Sequence, residues 1–226
     1  MSSVATSEAI HALFFYGTIE QNWLGHQMAE VYKDGVYRSF LPLQKEGSVA
    51  IDIGGNIGLV SIYFSRYFDH VYTLEPSKQH FDALTKNITS NNITNITLIN
   101  KAIYIKDGLF PFGGPEDNYT MRSLHMATWQ DGKNNETVEA ITLEKLFTDE
   151  KIDHVDLLKI DVEGSETEIF SSPSFSVVAN KIDTIIGETH SWSGRHPNQL
   201  KGALKSNGFT IEQIPNDASL FVARHI

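Results

Sequence analysis

The 226-residue sequence contains no cysteine and is short of basic residues, and each shortage excludes a class of protein. Without cysteine there are no disulfides, no thiolate metal sites and no cysteine nucleophile. The 18 Lys and Arg residues are outnumbered by 28 Asp and Glu residues, which gives a net charge of −10. Because nucleic-acid-binding proteins usually present a basic surface, we do not expect a nucleic acid as the partner.

Long apolar runs are also missing from the sequence. No run approaches the roughly 18–20 residues that a membrane span requires. The apolar stretch at 12–16 is too short for a signal-peptide core, and no basic residue precedes it. We therefore expect a soluble, cytoplasmic protein without a membrane partner. We further expect a monomer or a homodimer. A chain of this length and composition fits one globular domain.

Apolar runs alternate with amphipathic segments through most of the chain, which is typical of βαβ units and a parallel sheet. Right-handed crossovers then place helices on both faces of the sheet. The runs interpreted as buried strands are 49–53, 71–74, 96–99, 155–160 and 184–188. The segment after the first run predicts a helix to about residue 68, and the segment after the second predicts a helix to about residue 90 with Pro76 in its first turn. Two further strands, at 209–214 and 219–223, follow each other closely and predict an antiparallel end to the sheet.

Two segments interrupt this alternation. Residues 1–45 mix aromatic and polar side chains and carry no recognisable motif, so we interpret them as a lid or substrate cover ahead of the main domain at 46–226. An insertion at about 101–141 begins with a predicted hairpin at 101–112 and ends with a predicted strand at 138–141. Between them lies a polar loop at 113–137, and a loop of that length is usually functional or mobile.

The strongest functional signal is a Gly-rich turn between the first strand and the first helix, with the sequence Asp52-Ile53-Gly54-Gly55-Asn56-Ile57-Gly58. Gly54 and Gly58 permit a tight turn and the close approach of a ligand. The GxGxxG pattern of dinucleotide-binding proteins is not met, and an acidic residue two positions before the first glycine suits a cationic ligand. We predict cofactor contacts from the following residues of the turn: Asp52, Gly54, Gly55, Asn56 and Gly58.

Glu75 ends the second strand, where a carboxylate can accept hydrogen bonds from both ribose hydroxyls. Together with the turn it indicates an adenosyl ligand. S-adenosylmethionine, which carries a sulfonium and an ammonium group, suits Asp52 better than NAD does. An NAD-dependent oxidoreductase and a non-catalytic adenosyl-binding module remain the alternatives. Asn100, at the end of the third strand, is a further candidate for cofactor binding.

Three strings resemble the FkbM family of S-adenosylmethionine-dependent methyltransferases: the turn at 52–58, Leu74-Glu75-Pro76, and the more specific Leu-Lys-Ile-Asp-Val-Glu-Gly-Ser-Glu at 158–166. The resemblance covers about residues 45–190. It implies an α/β, Rossmann-like class I fold with a seven-stranded, mostly parallel sheet and an antiparallel C-terminal strand. It also implies a methyltransferase, most often one that O-methylates a small acceptor such as a sugar or secondary metabolite.

The strands at 155–160 and 184–188 bring a second group of polar residues to the same sheet edge, because ligands of open α/β sheets bind beyond the carboxyl ends of the strands. Asp161 and Glu163 follow the first of these strands, and Glu188 and His190 follow the second. His190 is the predicted catalytic base, since its ordinary pKa near 6.5 suits proton transfer at neutral pH. Asp161, with Lys159 as a candidate partner, is predicted as an alternative base or as a contact for the substrate or the cofactor.

Glu188 completes the predicted catalytic group, and Glu163 is also a candidate cap for the helix that follows it. Carboxylates grouped with a histidine are also ligands that Mg²⁺ or Mn²⁺ can use. A divalent metal is thus an open alternative that we do not predict. A hydrogen-bonded polar cluster accounts for the same residues.

Overall fold

The computed structural model describes residues 31, 37–38, 41, 46–114, 122–125, 136–190, 193–194, 197–213 and 219–226. Most of the segment at 1–45 and most of the loop at 113–137 lie outside these residues. The aromatic residues Tyr119, Trp129 and Trp192 also lie outside them.

The described chain forms ten strands, six α-helices and a 3₁₀ helix at Ala179–Lys181. The strands are β1 Val49–Ile53, β2 His70–Leu74, β3 Ile96–Ile99, β4 Ala102–Ile103, β5 Gly108–Phe112, β6 Glu136–Ile141, β7 Val155–Ile160, β8 Ile182–Glu188, β9 Phe209–Gln213 and β10 Leu220–His225. The helices are α1 Leu59–Phe64, α2 Lys78–Ser90, α3 Leu143–Asp149, α4 Glu166–Phe170, α5 Pro173–Val178 and α6 Pro197–Ser206.

A seven-stranded sheet forms the centre of the molecule, in the order β3-β2-β1-β7-β8-β10-β9. Neighbouring strands are parallel except at β10, which runs antiparallel to both β8 and β9. The predicted antiparallel strand at the C-terminal end is thereby confirmed. The strand order reverses between β1 and β7, and ligands of open α/β sheets bind at such a switch point.

Helices cover both faces of the sheet, as predicted. Successive residues of a strand point to opposite faces, so Ala50 and Ile51 belong to different hydrophobic clusters. Ala50 packs in a cluster with Phe64 of α1. Ile51 packs in the other cluster, which includes Phe147 of α3 and Leu200 of α6. Each face of β1 is therefore buried, which explains its almost uninterrupted apolar sequence.

The helices flanking β2 differ from their predicted bounds. The helix after the Gly-rich turn was expected to reach about residue 68, but α1 ends at Phe64. The next helix, α2, begins at Lys78 with Ser77 in the N-cap position, so Pro76 precedes the helix and is not in its first turn. Pro76 still shapes this junction, because the residue before a proline is biased towards extended backbone.

The predicted hairpin at 101–112 is wrong. β4 and β5 lie in a separate three-stranded sheet, in the order β4-β6-β5, and β6 separates them. The predicted strand at 138–141 is confirmed as part of β6, which pairs parallel with β4 and antiparallel with β5. Val138 and Ala140 of β6 are buried together with Ala102 and Phe112. The central position gives β6 a hydrogen-bonding partner on each edge, which a local hairpin of β4 and β5 would not do.

Within the described part of the chain, no helix combines the length and the apolar character that crossing a bilayer requires.

Candidate active site

The Gly-rich turn connects β1 to α1 at the edge where the strand order reverses. The backbone N–H groups of Gly54 and Gly55 both donate to the carbonyl oxygen of Leu74, at 3.0 and 2.9 Å, which ties the turn to the end of β2. Gly54 has φ +82°, and a Cβ atom there would lie 1.9 Å from the carbonyl oxygen of Asp161. A side chain at this position would therefore separate the ends of β1 and β7.

Glu75 lies in a buried position directly after β2. The backbone N–H of Asn56 donates to its Oε2 atom at 2.8 Å, and the backbone N–H of Ser77 donates to its Oε1 atom at 2.9 Å. Both oxygens are thus fixed by the main chain, and each retains a lone pair for another donor. The contact of Glu75 with an adenosyl ribose stays a prediction.

Asp52 is fully buried, and its cationic neighbour is Lys159. The two residues are direct partners in the parallel ladder of β1 and β7. Lys159 Nζ lies 3.2 Å from Asp52 Oδ1 and donates to the carbonyl oxygen of Gly54 at 3.0 Å. Ser61 Oγ donates to Asp52 Oδ2 at 2.5 Å. The carboxylate that we predicted for a cationic cofactor therefore faces a cation within the protein, directly beneath the turn.

Lys159 also lies near Asp161, the partner that we proposed for it, although at 3.9 Å this contact is longer than the one to Asp52. Burial alone would lower the pKa of Lys159, but the charges of Asp52 and Asp161 raise it above its ordinary value. The lysine therefore stays protonated and offsets part of the negative charge at this edge of the sheet.

Asn100 holds the loop after β2. Its side-chain amide donates to the carbonyl oxygens of Glu75 and Pro76, at 2.8 and 3.1 Å. The neighbouring residues Lys101 and Ala102 line the cavity beside Glu75, and Asn100 is not among the lining residues of the described chain. In this structure Asn100 thus fixes the backbone that carries Glu75.

One continuous cavity runs from Glu75, past Gly54, to Asp161, Glu163 and Glu188 at the ends of β7 and β8. Four buried polar atoms of residues that line it have no hydrogen-bond partner among the described residues. They are Asn56 Oδ1, His80 Nε2, Asp161 Oδ1 and Ser165 Oγ. All four atoms are buried within the walls of the cavity.

The second sheet and the N-terminal segment also contribute to the walls of this cavity. Arg122 Nη1 donates at 3.3 Å to the Oγ atom of Ser77, the residue whose backbone N–H binds Glu75. The Arg122 guanidinium also lies 5.4 Å from the ring centroid of Phe112. Tyr37 lines the cavity and packs edge-on against Phe64, with ring centroids 5.4 Å apart. No sequence signal pointed to Arg122 or Tyr37, because both come from segments without a regular pattern.

The predicted convergence of residues after β7 and β8 is present. His190 Nε2 lies 3.3 Å from Glu163 Oε2 and 3.7 Å from Asp161 Oδ1. Its other ring nitrogen, Nδ1, is 2.9 Å from Glu166 Oε1. Glu188 lines the cavity beside these groups. Sequence reasoning named four of these residues and missed Glu166, although that residue ends the string 158–166.

Glu166, and not Glu163, binds the backbone at the start of α4. Its carboxylate accepts hydrogen bonds from the N–H groups of Val162 and Gly164, both at 3.1 Å. Glu163 lies between these two residues with φ +54°, a left-handed conformation that non-glycine residues rarely adopt. The side chain of Glu166 thus holds a strained loop in place.

The charges in this cluster shift the pKa values of two members. Burial alone would lower the pKa of His190, but its hydrogen bond to Glu166 and the nearby charges of Glu163 and Asp161 raise it to about 9. Burial and the charge of Asp161 raise the pKa of Glu163 to about 8, although His190 opposes this shift. At neutral pH His190 is therefore an imidazolium, and Glu163 is mostly protonated.

The cluster is better described as a hydrogen-bonded network than as a set of metal ligands. Asp161, Glu166 and His190 offer oxygen and nitrogen atoms within 4.8 Å of one another. However, the Glu166 carboxylate already accepts two backbone N–H groups and contacts the His190 ring. A cation would have to replace these contacts, so the donor set fits a metal poorly.

Comparison with known protein families gives one match that spans most of the chain. The family described as "Methyltransferase FkbM domain" matches residues 52–211, which include the Gly-rich turn, Glu75 and the carboxylate cluster. Among curated proteins, the methyltransferase sdnD of Sordaria araneosa is 26% identical over 214 residues. That alignment covers 77% of this chain and 80% of the relative.

Solved structures share the fold at low sequence identity. The Streptococcus mutans protein SMU.1697c in complex with S-adenosylhomocysteine (SAH) is 11% identical, with a TM-score of 0.52 over 92% of this chain and 100% of that chain. An rRNA methylase from Streptococcus thermophilus is 10% identical, with a TM-score of 0.51 over 93% and 99% of the two chains. At these identities the likeness concerns the fold alone.

Proposed function

This chain belongs to the FkbM methyltransferase family, and from that premise we propose that it transfers a methyl group from S-adenosylmethionine to a hydroxyl group of a small acceptor. The proposal assigns residues 46–226 to the methyltransferase domain and residues 1–45 to a cover over the acceptor. It also favours S-adenosylmethionine over NAD, in agreement with the missing GxGxxG pattern.

The observation that carries the proposal is the position of Glu75. Its carboxylate is buried, is oriented by two backbone N–H groups, and lines the cavity at the switch point of the sheet. A carboxylate held in this way can accept from two vicinal hydroxyls, and the adenosyl ribose presents such a pair.

The opposite end of the cavity supports the binding of a cationic donor. S-adenosylmethionine supplies a methyl group on a positively charged sulfur, which makes the methyl carbon electrophilic. Asp161, Glu163 and Glu188 line this end. Lys159 and the His190 imidazolium offset only part of the negative charge of this cluster and the buried Asp52. These residues favour a positive ligand and hold an acceptor by hydrogen bonds to its hydroxyl groups.

A small neutral acceptor, such as a sugar or a hydroxylated metabolite, fits this charge better than a polyanion. Nucleic acids are bound through their phosphates by Lys and Arg side chains, whereas carboxylates surround the reacting end here. The net charge of −10 points the same way. Tyr37 lines the cavity, and this position supports the assignment of the N-terminal segment as part of the acceptor cover.

Isothermal titration calorimetry with SAH and, separately, with NADH tests the choice of cofactor. We expect SAH to bind with 1:1 stoichiometry and NADH to give no saturable heat. Binding of NADH without binding of SAH would refute the methyltransferase proposal and restore the oxidoreductase alternative.

A turnover assay with methyl-labelled S-adenosylmethionine tests catalysis and the acceptor class. The panel contains neutral sugars, hydroxylated metabolites and an RNA mixture. Label transfer to hydroxyl groups of small acceptors is the expected result. Transfer to RNA would overturn the acceptor proposal, and SAH binding without transfer to any acceptor would favour a non-catalytic binding module.

A further inference from the structure

The residue predicted as the base does not reach the cavity directly. Among the described residues, His190 is not one that lines it, and the His190 side chain is only 6% exposed. The two ring nitrogens face carboxylates, Glu166 on one side and Glu163 and Asp161 on the other. A proton leaving an acceptor in the cavity would therefore meet a carboxylate before it met the imidazole.

Glu163 differs from His190 in this respect. Its side chain is 19% exposed and lines the cavity. One of its carboxylate oxygens, Oε2, faces the His190 ring at 3.3 Å. Glu166 holds the backbone on both sides of Glu163 through Val162 and Gly164. The position of this carboxyl group is thus determined by a rigid loop, as a catalytic group requires.

On the basis of the function proposed above, we propose that Glu163 is the general base that accepts the hydroxyl proton of the acceptor. We further propose that His190, held by Glu166, is the residue that positions Glu163 and balances its charge. The other charged groups that face Glu163 are Asp161, Glu188 and Glu166.

In the proposed step, methyl transfer to the acceptor is coupled to proton transfer to Glu163. The acceptor oxygen forms a bond to the methyl carbon while its O–H bond breaks, and the proton moves to a carboxylate oxygen of Glu163. The bond between the methyl carbon and sulfur breaks, and its electron pair stays on sulfur. The products are a methyl ether, a neutral thioether and a protonated Glu163, which later releases its proton to solvent.

The surrounding charges link this proton transfer to the charge of the ligand. Without a ligand, burial and the charge of Asp161 raise the pKa of Glu163 to about 8, so the carboxyl group is mostly protonated at pH 7. A fixed positive charge nearby lowers the pKa of a carboxyl group by about 1–3 units. At pH 7 Glu163 is thus at least about half ionised while a sulfonium is nearby, and it gains affinity for a proton when that charge disappears.

Proton release on ligand binding tests this inference without an acceptor. Calorimetric titrations at pH 7, in two buffers with different ionisation enthalpies, give the number of protons released when S-adenosylmethionine or SAH binds. The two ligands differ in the charge on sulfur. From a pKa of about 8 and the shift given above, S-adenosylmethionine should release about 0.4–0.9 proton more than SAH.

The Glu163→Gln variant should lose this difference and still bind SAH, whereas the matched variant Glu212→Gln, at a mostly exposed glutamate on β9, should keep it. The inference is overturned if the difference persists in Glu163→Gln, or if Glu212→Gln removes it as well. Infrared difference spectra of the wild-type protein provide a readout that needs no variant. Binding of S-adenosylmethionine, but not of SAH, should remove a protonated carboxyl band, and an unchanged band would contradict the inference.

A separate measurement, the pH dependence of proton release, tests the positioning role of His190. Replacing His190 by Gln removes a positive charge beside Glu163, so the pH at which the difference in proton release is largest should rise by about 1 unit. A merely structural role would leave that pH unchanged. If the wild-type protein binds neither ligand, the proposed function fails. If it binds both ligands without a difference in proton release, only the role of Glu163 fails.

Discussion

Glu75 and Glu163 lie at opposite ends of one cavity, and they are held in different ways. The oxygens of Glu75 accept from backbone N–H groups, whose positions are set by the Gly-rich turn and the start of α2. The oxygens of Glu163 lie among ionisable side chains, and His190 is the nearest of them. Backbone donors have a fixed protonation state, whereas the surroundings of Glu163 change with pH and with the charge of a ligand.

In the proposed site, carboxylates perform two different tasks, recognition of hydroxyl groups and exchange of a proton. A group that recognises hydroxyls should have an environment that stays constant, and main-chain donors provide it. A group that exchanges a proton needs a pKa near the working pH, and buried clusters of like charges provide that. Asp52 and Lys159 lie beneath the Gly-rich turn, between the two ends of the cavity. Lys159 donates to the carbonyl oxygen of Gly54 in the turn and also lies near Asp161, at the end that contains Glu163.

The largest effect that we expect comes from breaking the ion pair of Lys159 and Asp52. Lys159→Met leaves Asp52 buried without its cation, which should cost about 3–5 kcal/mol of unfolding free energy. The melting temperature should fall by about 6–20 °C. Chemical denaturation and calorimetry measure both quantities.

Lys145→Met is the matched control, because Lys145 is exposed and pairs with Asp149 one helical turn away. Its effect on the unfolding free energy should be far smaller, because solvent screens an exposed ion pair. The double variant Asp52→Asn with Lys159→Met should regain part of the lost stability. An equal loss in Lys145→Met and Lys159→Met would disprove the buried pair as the cause.

The second-largest effect is expected on SAH affinity, at Glu75, whose carboxylate is held by backbone N–H groups. Glu75→Gln removes the charge that strengthens hydrogen bonds to ribose hydroxyls, so SAH should bind about 10- to 150-fold more weakly. Calorimetric titration measures this affinity. Glu212→Gln, at a mostly exposed glutamate on β9, should bind SAH like the wild-type protein. Unchanged affinity in Glu75→Gln would remove the main support for an adenosyl ligand.

The ionisable groups Glu163 and His190 should make the stability of the fold depend on pH. The folded-state pKa values of Glu163, about 8, and His190, about 9, are both raised above their unfolded values. Both groups therefore stabilise the fold most fully at low pH, and this stabilisation is lost as the pH rises through the folded values. We expect the melting temperature to fall between pH 5 and pH 9.

Glu163→Gln should flatten the part of this decline below about pH 8, since the amide does not titrate. The decline of the wild-type protein should amount to about 2–4 °C for each kcal/mol of linked stability. Differential scanning calorimetry across this pH range makes the comparison. Curves of identical slope for the two proteins would show that Glu163 does not titrate in the folded state.

The smallest effect is expected at Asn100. Asn100→Ala removes two hydrogen bonds to the carbonyl oxygens of Glu75 and Pro76, which should cost about 1–2 kcal/mol of stability. SAH affinity should change by less than about fivefold, because the backbone N–H groups that hold the Glu75 carboxylate remain. A loss of affinity as large as that in Glu75→Gln would show a direct contact between Asn100 and the ligand.

Sequence reasoning succeeds for the main sheet and for Glu75 because local patterns determine them. A buried strand, a turn that requires glycine at Gly54, and an acidic residue at the next strand end are each visible within a few residues. The convergence of Asp161 with His190 was also predictable, because consecutive βαβ units place their strands next to each other.

Features that depend on non-local pairing could not be predicted in this way. The contact between Asp52 and Lys159 depends on the register of β1 against β7, which no local pattern gives. The second sheet inserts β6 between β4 and β5, a pairing that a turn signal at Asp107-Gly108 cannot indicate. Glu166 binds backbone N–H groups, and the sequence pattern alone does not distinguish this role from that of Glu163.

The close approach of Gly54 to Asp161 has a consequence for the synthesis of the protein. The Gly-rich turn is completed by groups far along the chain, since Lys159 donates to a carbonyl oxygen 105 residues away in sequence. A nascent chain that has left the ribosome only as far as α2 contains the whole turn and Glu75, but it lacks the strand that supports them. The cofactor pocket therefore comes into existence only after β7 has docked against β1.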